Sequence, residues 1–365
     1  MKATPGLWAI AAYFNPERYG RRRANFSAFR RNLGVPLLAV ELAGDGAFEL
    51  NSGDADKLVQ LRGNPRIWQK ERLLNLALDA LPAGVRHVAW LDSDLVFARG
   101  DWAEQAASQL DGGVALLQPF SEVRHMPRDI AARDATPALL SAVTPLFRER
   151  AFTKAHCEGF DPDGHAYMPR HVLEESPERG RMRTTPAVGF AFAAPLALMR
   201  EAQFYDGCVI GGGDGNLAFA SVNRIEDSPH GINSPRQAPH FRAWGERFSG
   251  LVQGRVGWVD GAVFHLWHGS YRDRRYLERF DVLRRLDFDP ARDIALGPEG
   301  AWEWTGRNPE LEAEVARHFE LRREDGEART GASFGPSRPE PAERQGGTRT
   351  ARILGQAAAL NRTRA

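Results

Sequence analysis

The chain has 365 residues, of which 42% are hydrophobic and 26% are charged, so it can build a large core and is too apolar to be disordered throughout. Its 48 basic and 47 acidic side chains leave a formal net charge of +1, which excludes the strongly basic character typical of nucleic-acid-binding proteins. The longest apolar run, residues 186–199, is shorter than the ~20 residues of a transmembrane helix. Because it also has only two cysteines and no signal-peptide cleavage pattern, we expect a soluble, cytoplasmic protein with no nucleic-acid partner and no transmembrane segment.

Short apolar segments alternate with amphipathic ones over the first third of the chain. The predicted strands are residues 7–13, 35–42, 85–91 and 114–118, and the clearest predicted helix is residues 68–81, whose leucines share one face. Strands that alternate with helices predict a doubly wound, mostly parallel sheet with helices on both faces. The expected fold class is therefore α/β.

The pattern changes after the fourth predicted strand. Residues 121–182 are rich in charge, proline and histidine, which predicts a long, partly helical excursion over the active face. Residues 187–194 and 258–268 are predicted strands, and residues 195–201 a short helix. Beyond about residue 321 large apolar residues nearly disappear, which predicts a disordered C-terminal tail.

Two aspartates follow a predicted strand in the segment VAWLDSDLVF. Asp92 and Asp94 are placed where open α/β sheets bind ligands, at the carboxyl end of a strand. Carboxylates are the ligands that Mg²⁺ or Mn²⁺ prefers, and such an ion neutralises a diphosphate. The alternative interpretation is a plain aspartate-rich turn.

Two histidines, His265 and His268, end the last predicted strand in the segment VFHLWHGS. One imidazole beside two carboxylates is a mixed nitrogen and oxygen set that suits Mn²⁺ better than Mg²⁺. The alternative is that both are structural hydrogen-bonding groups at a strand end.

A glycine loop, IGGGDGN, places Asp214 at the start of a predicted helix. The helix N-terminus keeps a carboxylate ionised, as a general base or an acceptor-binding group must be. A glycine turn capped by an aspartate is the alternative. Lys70 and Asn75 are polar residues on the otherwise core-packing helix WQKERLLN, where a solvated helix face is the competing explanation.

The order of these motifs resembles the GT-A-type glycosyltransferases, especially the galactosyltransferases and the C-terminal segment of polypeptide glycosyltransferases. In that family an aromatic-Asn-Arg/Lys-x-x-Leu-Leu-Asn helix precedes a DxD motif, a small or aromatic strand precedes a GG(E/D)D loop, and a late histidine completes the metal site. The corresponding segments here are WQKERLLN, DSD, GFAFAA, GGGD and HLWHG, within about residues 7–290. The resemblance implies a GT-A-like fold and a metal-dependent transfer of a hexose from a nucleoside diphosphate sugar, most simply a UDP-sugar, to a hydroxyl acceptor that the sequence does not identify.

The resemblance also implies roles for individual residues. Asp94 and His268 match ligands of Mn²⁺ (or Mg²⁺), Asp92 matches a contact to the metal or the ribose, and His265 would support His268 or replace it. Asp214 matches the catalytic or acceptor-binding carboxylate. The implied donor-binding residues are Tyr13, Asn15, Arg18, Lys70, Asn75 and Ser93.

Three parts of the chain follow from the same resemblance. Residues 1–120 would be the nucleotide-sugar-binding half, residues 121–305 the acceptor-binding and catalytic half, and residues 306–365 a helical extension with the disordered tail.

Other functions fit parts of the sequence. A haloacid-dehalogenase-like phosphatase would use LDSDLV with Asp92 as nucleophile and Asp94 as acid/base, but its motif should close the first strand and it needs no HLWHG. A sugar nucleotidyltransferase would need a glycine-rich, basic first loop, which the sequence lacks. A non-catalytic nucleotide- or carbohydrate-binding module would have no need for Asp214 in addition to a metal site.

Overall fold

The structure is a computed structural model that describes residues 6–159, 181–182, 186–228, 230–232, 234–275 and 278–326. Its strands are β1 (Leu7–Tyr13), β2 (Leu37–Ala43), β3 (Lys57–Arg62), β4 (His87–Leu91), β5 (Leu95–Phe97), β6 (Leu116–Gln118), β7 (Glu122–His125), β8 (Phe147–Arg150), β9 (Arg181–Met182), β10 (Ala191–Pro195), β11 (Val256–Trp258), β12 (Ala262–His265), β13 (Ile294–Leu296) and β14 (Trp302–Trp304). Its α-helices are α1 (Gly20–Asn32), α2 (Lys70–Ala80), α3 (Trp102–Asp111), α4 (Pro137–Ala142), α5 (Phe152–Cys157), α6 (Leu196–Ala202), α7 (Gly213–Ser221), α8 (Gln237–Val252), α9 (Asp281–Arg285), α10 (Pro290–Asp293) and α11 (Pro309–Leu321).

A seven-stranded sheet with the order β11-β6-β10-β4-β1-β2-β3 forms the centre of the molecule. Within it only β10 runs antiparallel to its neighbours. Helices cover both faces: Ile10 of β1 packs in one core cluster with Leu74 of α2, and Ala11 packs in another with Phe26 of α1. A strand that is buried on both faces has a nearly continuous apolar sequence, and β1, LWAIAAY, shows this pattern. The predicted doubly wound, mostly parallel α/β fold is confirmed.

A second sheet, β5-β12-β7-β8-β9, places histidines beside the DSD segment. β5 follows that segment directly and pairs antiparallel with β12, so that His265 lies opposite Leu95. β12 also pairs with β7 in parallel, with His265 opposite His125. This register explains how residues about 170 positions apart in the chain meet at one site.

The prediction of a single strand at residues 258–268 is wrong. The structure divides this segment into β11, which joins the central sheet, and β12, which joins the second sheet. A turn at Asp260 and Gly261 separates them, and Gly261 has φ of 144° there, a conformation that favours glycine. The sequence analysis also missed β3, and it missed the strands β7, β8 and β9 in the predicted excursion.

The described structure continues five residues past the approximate start of the predicted tail, residue 321. After α11 ends at Leu321, the side chains of Arg322 and Glu324 are buried, and the carboxylate of Asp325 accepts hydrogen bonds from the backbone N–H groups of Gly20 and Arg21 at 3.0 and 2.7 Å. Charge pairing and helix capping order this polar segment, where the prediction considered only apolar burial. The predicted tail beyond it, residues 327–365, lies outside the described residues.

Within the described ranges, no helix has both the length and the apolar character needed to cross a bilayer.

Candidate active site

A cavity opens at the carboxyl ends of β1 and β4. It has a volume of about 380 Å³ and is lined by the DSD segment, the glycine loop, the start of α2, both late histidines and the segment that follows α11. Ligands of open α/β sheets bind in this position because loops from several strands converge there. Motifs that are distant in sequence thus share one cavity.

Lys70 joins two of the predicted site carboxylates. Its Nζ donates hydrogen bonds to Asp92 Oδ1 at 2.6 Å and to both carboxylate oxygens of Asp214 at 2.9 Å. The start of α2 reaches Asp214 because Trp68 pairs with Ile210, immediately before the glycine loop. The structure therefore brings together Lys70, Asp92 and Asp214, which the sequence motifs placed on three separate elements.

Charge interactions keep this lysine protonated. Burial alone would lower the pKa of Lys70, but the neighbouring charges of Asp214 and Asp92 outweigh it and raise the pKa above its usual value. Burial raises the pKa of Asp92 from 3.8 to about 6, and the proximity of Asp214 adds to that effect while Lys70 opposes it. Lys70 thus serves as a fixed positive charge between the two carboxylates.

The glycine loop passes close to a buried acid that the sequence analysis treated only as part of a solvated helix face. Gly212 has φ of 97°, and a Cβ on Gly213 would lie 2.0 Å from Glu71 Oε1, so a larger residue does not fit there. Glu71 is 4% exposed, and its Oε2 makes no hydrogen bond within the described structure. Burial raises the pKa of Glu71 to about 8, and the nearby charge of Asp214 contributes to the increase. Glu71 therefore holds a proton at neutral pH.

A second cluster contains three potential metal ligands, and among the described residues it is the group close enough to hold one ion. Its members are Asp94, His265 and His268. His268 Nε2 lies 3.0 Å from Asp94 Oδ2 and 3.0 Å from His265 Nε2, and His265 Nε2 lies 3.8 Å from Asp94 Oδ1. The backbone N–H of Leu266 donates to the Asp94 carbonyl at 2.9 Å, which fixes the loop beside β12. One ligand atom from each side chain lies within 4.8 Å of the other two, around a common centre.

The residues of this cluster fit a divalent cation. Adjacent ligands of an octahedral ion with bonds of about 2.1 Å lie about 3 Å apart, which matches the shorter two spacings. Asp94 Oδ1 is buried and has no hydrogen-bond partner among the described residues. Although burial opposes it, the proximity of His268 and His265 holds the pKa of Asp94 below its usual range, and burial lowers the pKa of His265. An ionised carboxylate and a neutral imidazole are the forms that bind metals.

The other predicted residues of the DSD segment lie outside this cluster. Asp92 is bound to Lys70, and Ser93 lines the cavity without joining the three ligand groups. His265, which the resemblance placed behind His268 or in its place, belongs to the same cluster as His268, and its Nε2 lies 3.8 Å from Asp94 Oδ1 against 3.0 Å from His268 Nε2 to Asp94 Oδ2. A metal site built on this geometry uses Asp94 and both histidines.

Asn75 is not in the cavity. Its side-chain amide donates to the Phe204 carbonyl at 3.1 Å and accepts from the Phe204 N–H at 2.7 Å, and it is 4% exposed. These bonds join α2 to the chain after α6. The predicted donor-binding role does not agree with this position, because both polar ends of the amide are already bound to the backbone.

Tyr13, Asn15 and Arg18 come together around a different cavity, of about 250 Å³. All three contact Glu49: the Tyr13 hydroxyl donates to it, Asn15 Nδ2 donates at 2.9 Å, and Arg18 lies 3.5 Å away. Neighbouring residues of one strand point to opposite faces, so Phe14 lines the large cavity while Tyr13 lines the smaller one. The sequence motifs did not indicate Glu49.

Several residues of the large cavity were missed because their contacts are distant in sequence. Arg22 binds Glu324 through two nitrogens at 2.8 and 2.5 Å, across 302 positions of the chain. Glu324 also lies 3.8 Å from His268 Nδ1, and although burial opposes it, Arg22 and Arg322 hold its pKa well below the usual range. Isolated arginines and glutamates carry no local pattern that would have indicated this pairing.

No protein-family model matches the chain, and no curated protein matches its sequence. Among solved structures the chain is similar to glucosyl-3-phosphoglycerate synthase from Mycobacterium tuberculosis in complex with phosphoglyceric acid, at 12% identity, with 71% of this chain and 70% of that chain covered and a TM-score of 0.34. It is also similar to S. aureus TarS 1-349 in complex with UDP-GlcNAc, at 12% identity, 87% and 73% coverage and a TM-score of 0.33. A third is 4-diphosphocytidyl-2C-methyl-D-erythritol synthase from Anaerococcus prevotii, at 10% identity, 71% and 88% coverage and a TM-score of 0.28.

Proposed function

We propose that the protein is a metal-dependent glycosyltransferase that moves a hexose from a nucleoside diphosphate sugar, most simply a UDP-sugar, to a hydroxyl acceptor. One observation carries the proposal. A single cavity holds a set of potential metal ligands, Asp94 with His265 and His268, and a separate carboxylate, Asp214, that is oriented by Lys70. Glycosyl transfer from a nucleoside diphosphate needs both a cation for the leaving group and a base for the acceptor.

Asp94, His265 and His268 would hold the cation, with Mn²⁺ favoured over Mg²⁺ because two of the three ligands are imidazoles. When bound, such a cation stabilises the negative charge that develops on the departing diphosphate. The protein supplies the rest of the positive charge: Arg274 is buried at the cavity wall, and its charge acts on Asp94. Lys70, whose side chain is largely buried, is the second fixed cation of the site.

Asp214 is proposed as the general base. As the acceptor oxygen bonds to the anomeric carbon, its proton passes to the Asp214 carboxylate, and the bond from the anomeric carbon to the diphosphate oxygen breaks with both electrons leaving on the nucleoside diphosphate. Lys70 holds the carboxylate by both oxygens at 2.9 Å, so its direction in the cavity is fixed before the acceptor binds. Asp92, on the other side of Lys70, keeps the ammonium group in place.

The nucleoside is proposed to extend toward the smaller cavity. Tyr13 and Asn15 line that cavity at the carboxyl end of β1, one residue on either side of Phe14 in the large cavity. Donor and acceptor groups from these side chains and from Glu49 are suited to the edge of a base or to ribose hydroxyls.

The phosphatase alternative agrees less well with the geometry. It needs Asp92 as a nucleophile, yet Asp92 Oδ1 is bound by Lys70 at 2.6 Å, and it needs Asp94 as an acid/base, yet Asp94 lies between two histidines. A binding module without catalysis would leave the Lys70–Asp214 pair without a purpose.

Thermal stability with UDP and with GDP, each with and without Mn²⁺, tests the proposal. We expect a rise in melting temperature that requires both nucleotide and metal, and the nucleotide that gives the larger rise identifies the donor class. The Asp94→Ala variant is the matched control and should show no such rise. Absence of any nucleotide response, together with hydrolysis of a generic phosphomonoester, would instead support the phosphatase.

A further inference from the structure

A buried row of hydrogen-bonding groups lies behind His265. Its Nδ1 is 3.0 Å from His125 Nδ1, and His125 Nε2 is 2.6 Å from Glu149 Oε2. The three residues come from the adjacent strands β12, β7 and β8, and each is 5% exposed or less. None of these contacts takes part in the catalytic steps proposed above.

The protons in this row can be assigned from the groups that meet. An ionised carboxylate only accepts hydrogen bonds, so Glu149 accepts from the Nε2–H of His125. A neutral imidazole has one N–H, so His125 Nδ1 carries a lone pair, which faces the Tyr271 hydroxyl at 2.6 Å and His265 Nδ1 at 3.0 Å. His265 Nδ1 carries its hydrogen there, because a second lone pair at 3.0 Å would repel that of His125. His265 is then left with a lone pair on Nε2, the atom that faces Asp94 and His268.

The opposite tautomer would block the metal site. A hydrogen on His265 Nε2 would point at His268 Nε2, 3.0 Å away, and would join the two imidazoles by a hydrogen bond. His265 would then have no lone pair for a cation. The tautomer of His265 therefore decides whether its Nε2 can act as the third ligand beside Asp94 and His268.

We propose that His125 and Glu149 are positioning residues that hold His265 in the tautomer and orientation required to bind a divalent cation. The inference rests on the metal site of the proposed function. It adds that residues of the second sheet, which do not bind the metal themselves, hold one of its ligands in place. The ring of His125 is itself held in place, since it stacks on Phe147 at 3.9 Å with an interplanar angle of 17°. Carboxylate–histidine pairs behind metal ligands fix orientation in this way in many metal sites.

Mn²⁺ affinity of the metal-free protein, measured by electron paramagnetic resonance without donor or acceptor, is the first test. We expect His125→Phe and Glu149→Leu, which each break the row, to weaken Mn²⁺ binding by about 10- to 100-fold, the range typical of lost outer support. Tyr271→Phe is the matched control: it removes the hydroxyl that faces His125 Nδ1 at 2.6 Å but leaves the contacts of His125 with His265 and Glu149 in place. Its affinity should stay within about threefold of the parent protein.

The tautomer of His265 is the second test, and it remains decisive if His125→Phe does not fold. A long-range ¹H–¹⁵N spectrum of the metal-free parent protein should show His265 protonated at Nδ1, with the signals assigned by their loss in His265→Gln. In Glu149→Leu, which removes the acceptor of the His125 Nε2–H, the Nδ1-protonated population should fall, which a merely structural role of Glu149 would not cause. Nε2 protonation of His265 in the parent protein would overturn the inference, as would unchanged Mn²⁺ affinity in folded His125→Phe.

Failure of this inference is distinguishable from failure of the proposed function. Mn²⁺ binding that depends on His125, in a protein that transfers no sugar, supports the inference and contradicts the glycosyltransferase. Mn²⁺-dependent sugar transfer with normal Mn²⁺ affinity in His125→Phe overturns the inference and leaves the proposed function in place.

Discussion

Asp92 and Asp94 belong to one short segment, are two residues apart, and have opposite surroundings. Asp92 is bound to Lys70, so its counter-charge is part of the protein. Asp94 meets two imidazoles, and its buried Oδ1 has no hydrogen-bond partner in the described structure, so it is left open to a bound cation. Two identical side chains at the end of one strand thus have different partners. Asp92 pairs with the protein's own cation, Lys70, whereas Asp94 belongs to a cluster that can bind a metal cation.

Removing the base on the lysine side should have the largest effect. We expect Asp214→Asn to lower turnover by about 10²- to 10⁴-fold, the usual contribution of a general base, because the amide cannot take the acceptor proton. Donor affinity should be unchanged, since the residue lies outside the metal cluster. Single-turnover kinetics with titration of the donor separates the two quantities, and unchanged turnover would remove Asp214 from the mechanism.

Comparing the two aspartates directly should give the next largest effect. We expect Asp94→Ala to weaken Mn²⁺ binding by roughly 100-fold or more, because it removes the only carboxylate of the described cluster. Asp92→Asn should change Mn²⁺ affinity by less than about tenfold, because Asp92 acts on the metal only through its neighbours. Isothermal titration of both variants with Mn²⁺ checks this, and equal losses would show that both aspartates are ligands.

The smallest expected effect concerns the proton on Glu71, beside Lys70. Burial raises the pKa of Glu71 from 4.5 to about 8 in the folded state, so between those values the folded protein holds a proton that the unfolded chain has lost. Stability therefore falls as the pH rises across this window. Glu71→Gln removes that loss and should raise the melting temperature above pH 8 by about 3 °C, with little change near pH 5.

Thermal unfolding of Glu71→Gln and of the parent protein across the pH range measures this difference. Two parallel curves would contradict a proton held on Glu71 and would show that the carboxyl is ionised beneath the glycine loop. Asp79→Asn, a change on the exposed side of the same helix, is a matched control that should leave the curve unchanged.

The parts of the site that the sequence predicted are those with a local pattern. Asp94 follows an apolar strand, Asp214 follows three glycines, and the two histidines close a strand, so each could be found from its neighbours. The positions that were wrong or missed depend on tertiary contacts. Asn75 looks like a cavity residue on its helix face but binds the backbone of Phe204, and only the strand register reveals that His125 lies beside His265.

The fold shows the same division. Alternating apolar segments were enough to predict the parallel sheet. The break between β11 and β12 had a usable signal, the Asp-Gly pair at Asp260, that the apolar pattern around it obscured. Ordering of residues 322–326 had none, because it depends on an arginine and a helix start near the other end of the chain.

The capping of α1 by Asp325 also sets the order in which the protein can be completed during synthesis. The backbone N–H of Gly20 donates to a carboxylate that lies 305 residues further along the chain. At about 5–20 residues per second, that partner leaves the ribosome roughly 15–60 s after the helix itself. The part of the cavity wall that Arg22 and Glu324 share is therefore completed only after Glu324 has emerged, and nascent chains that stop short of it lack this ion pair.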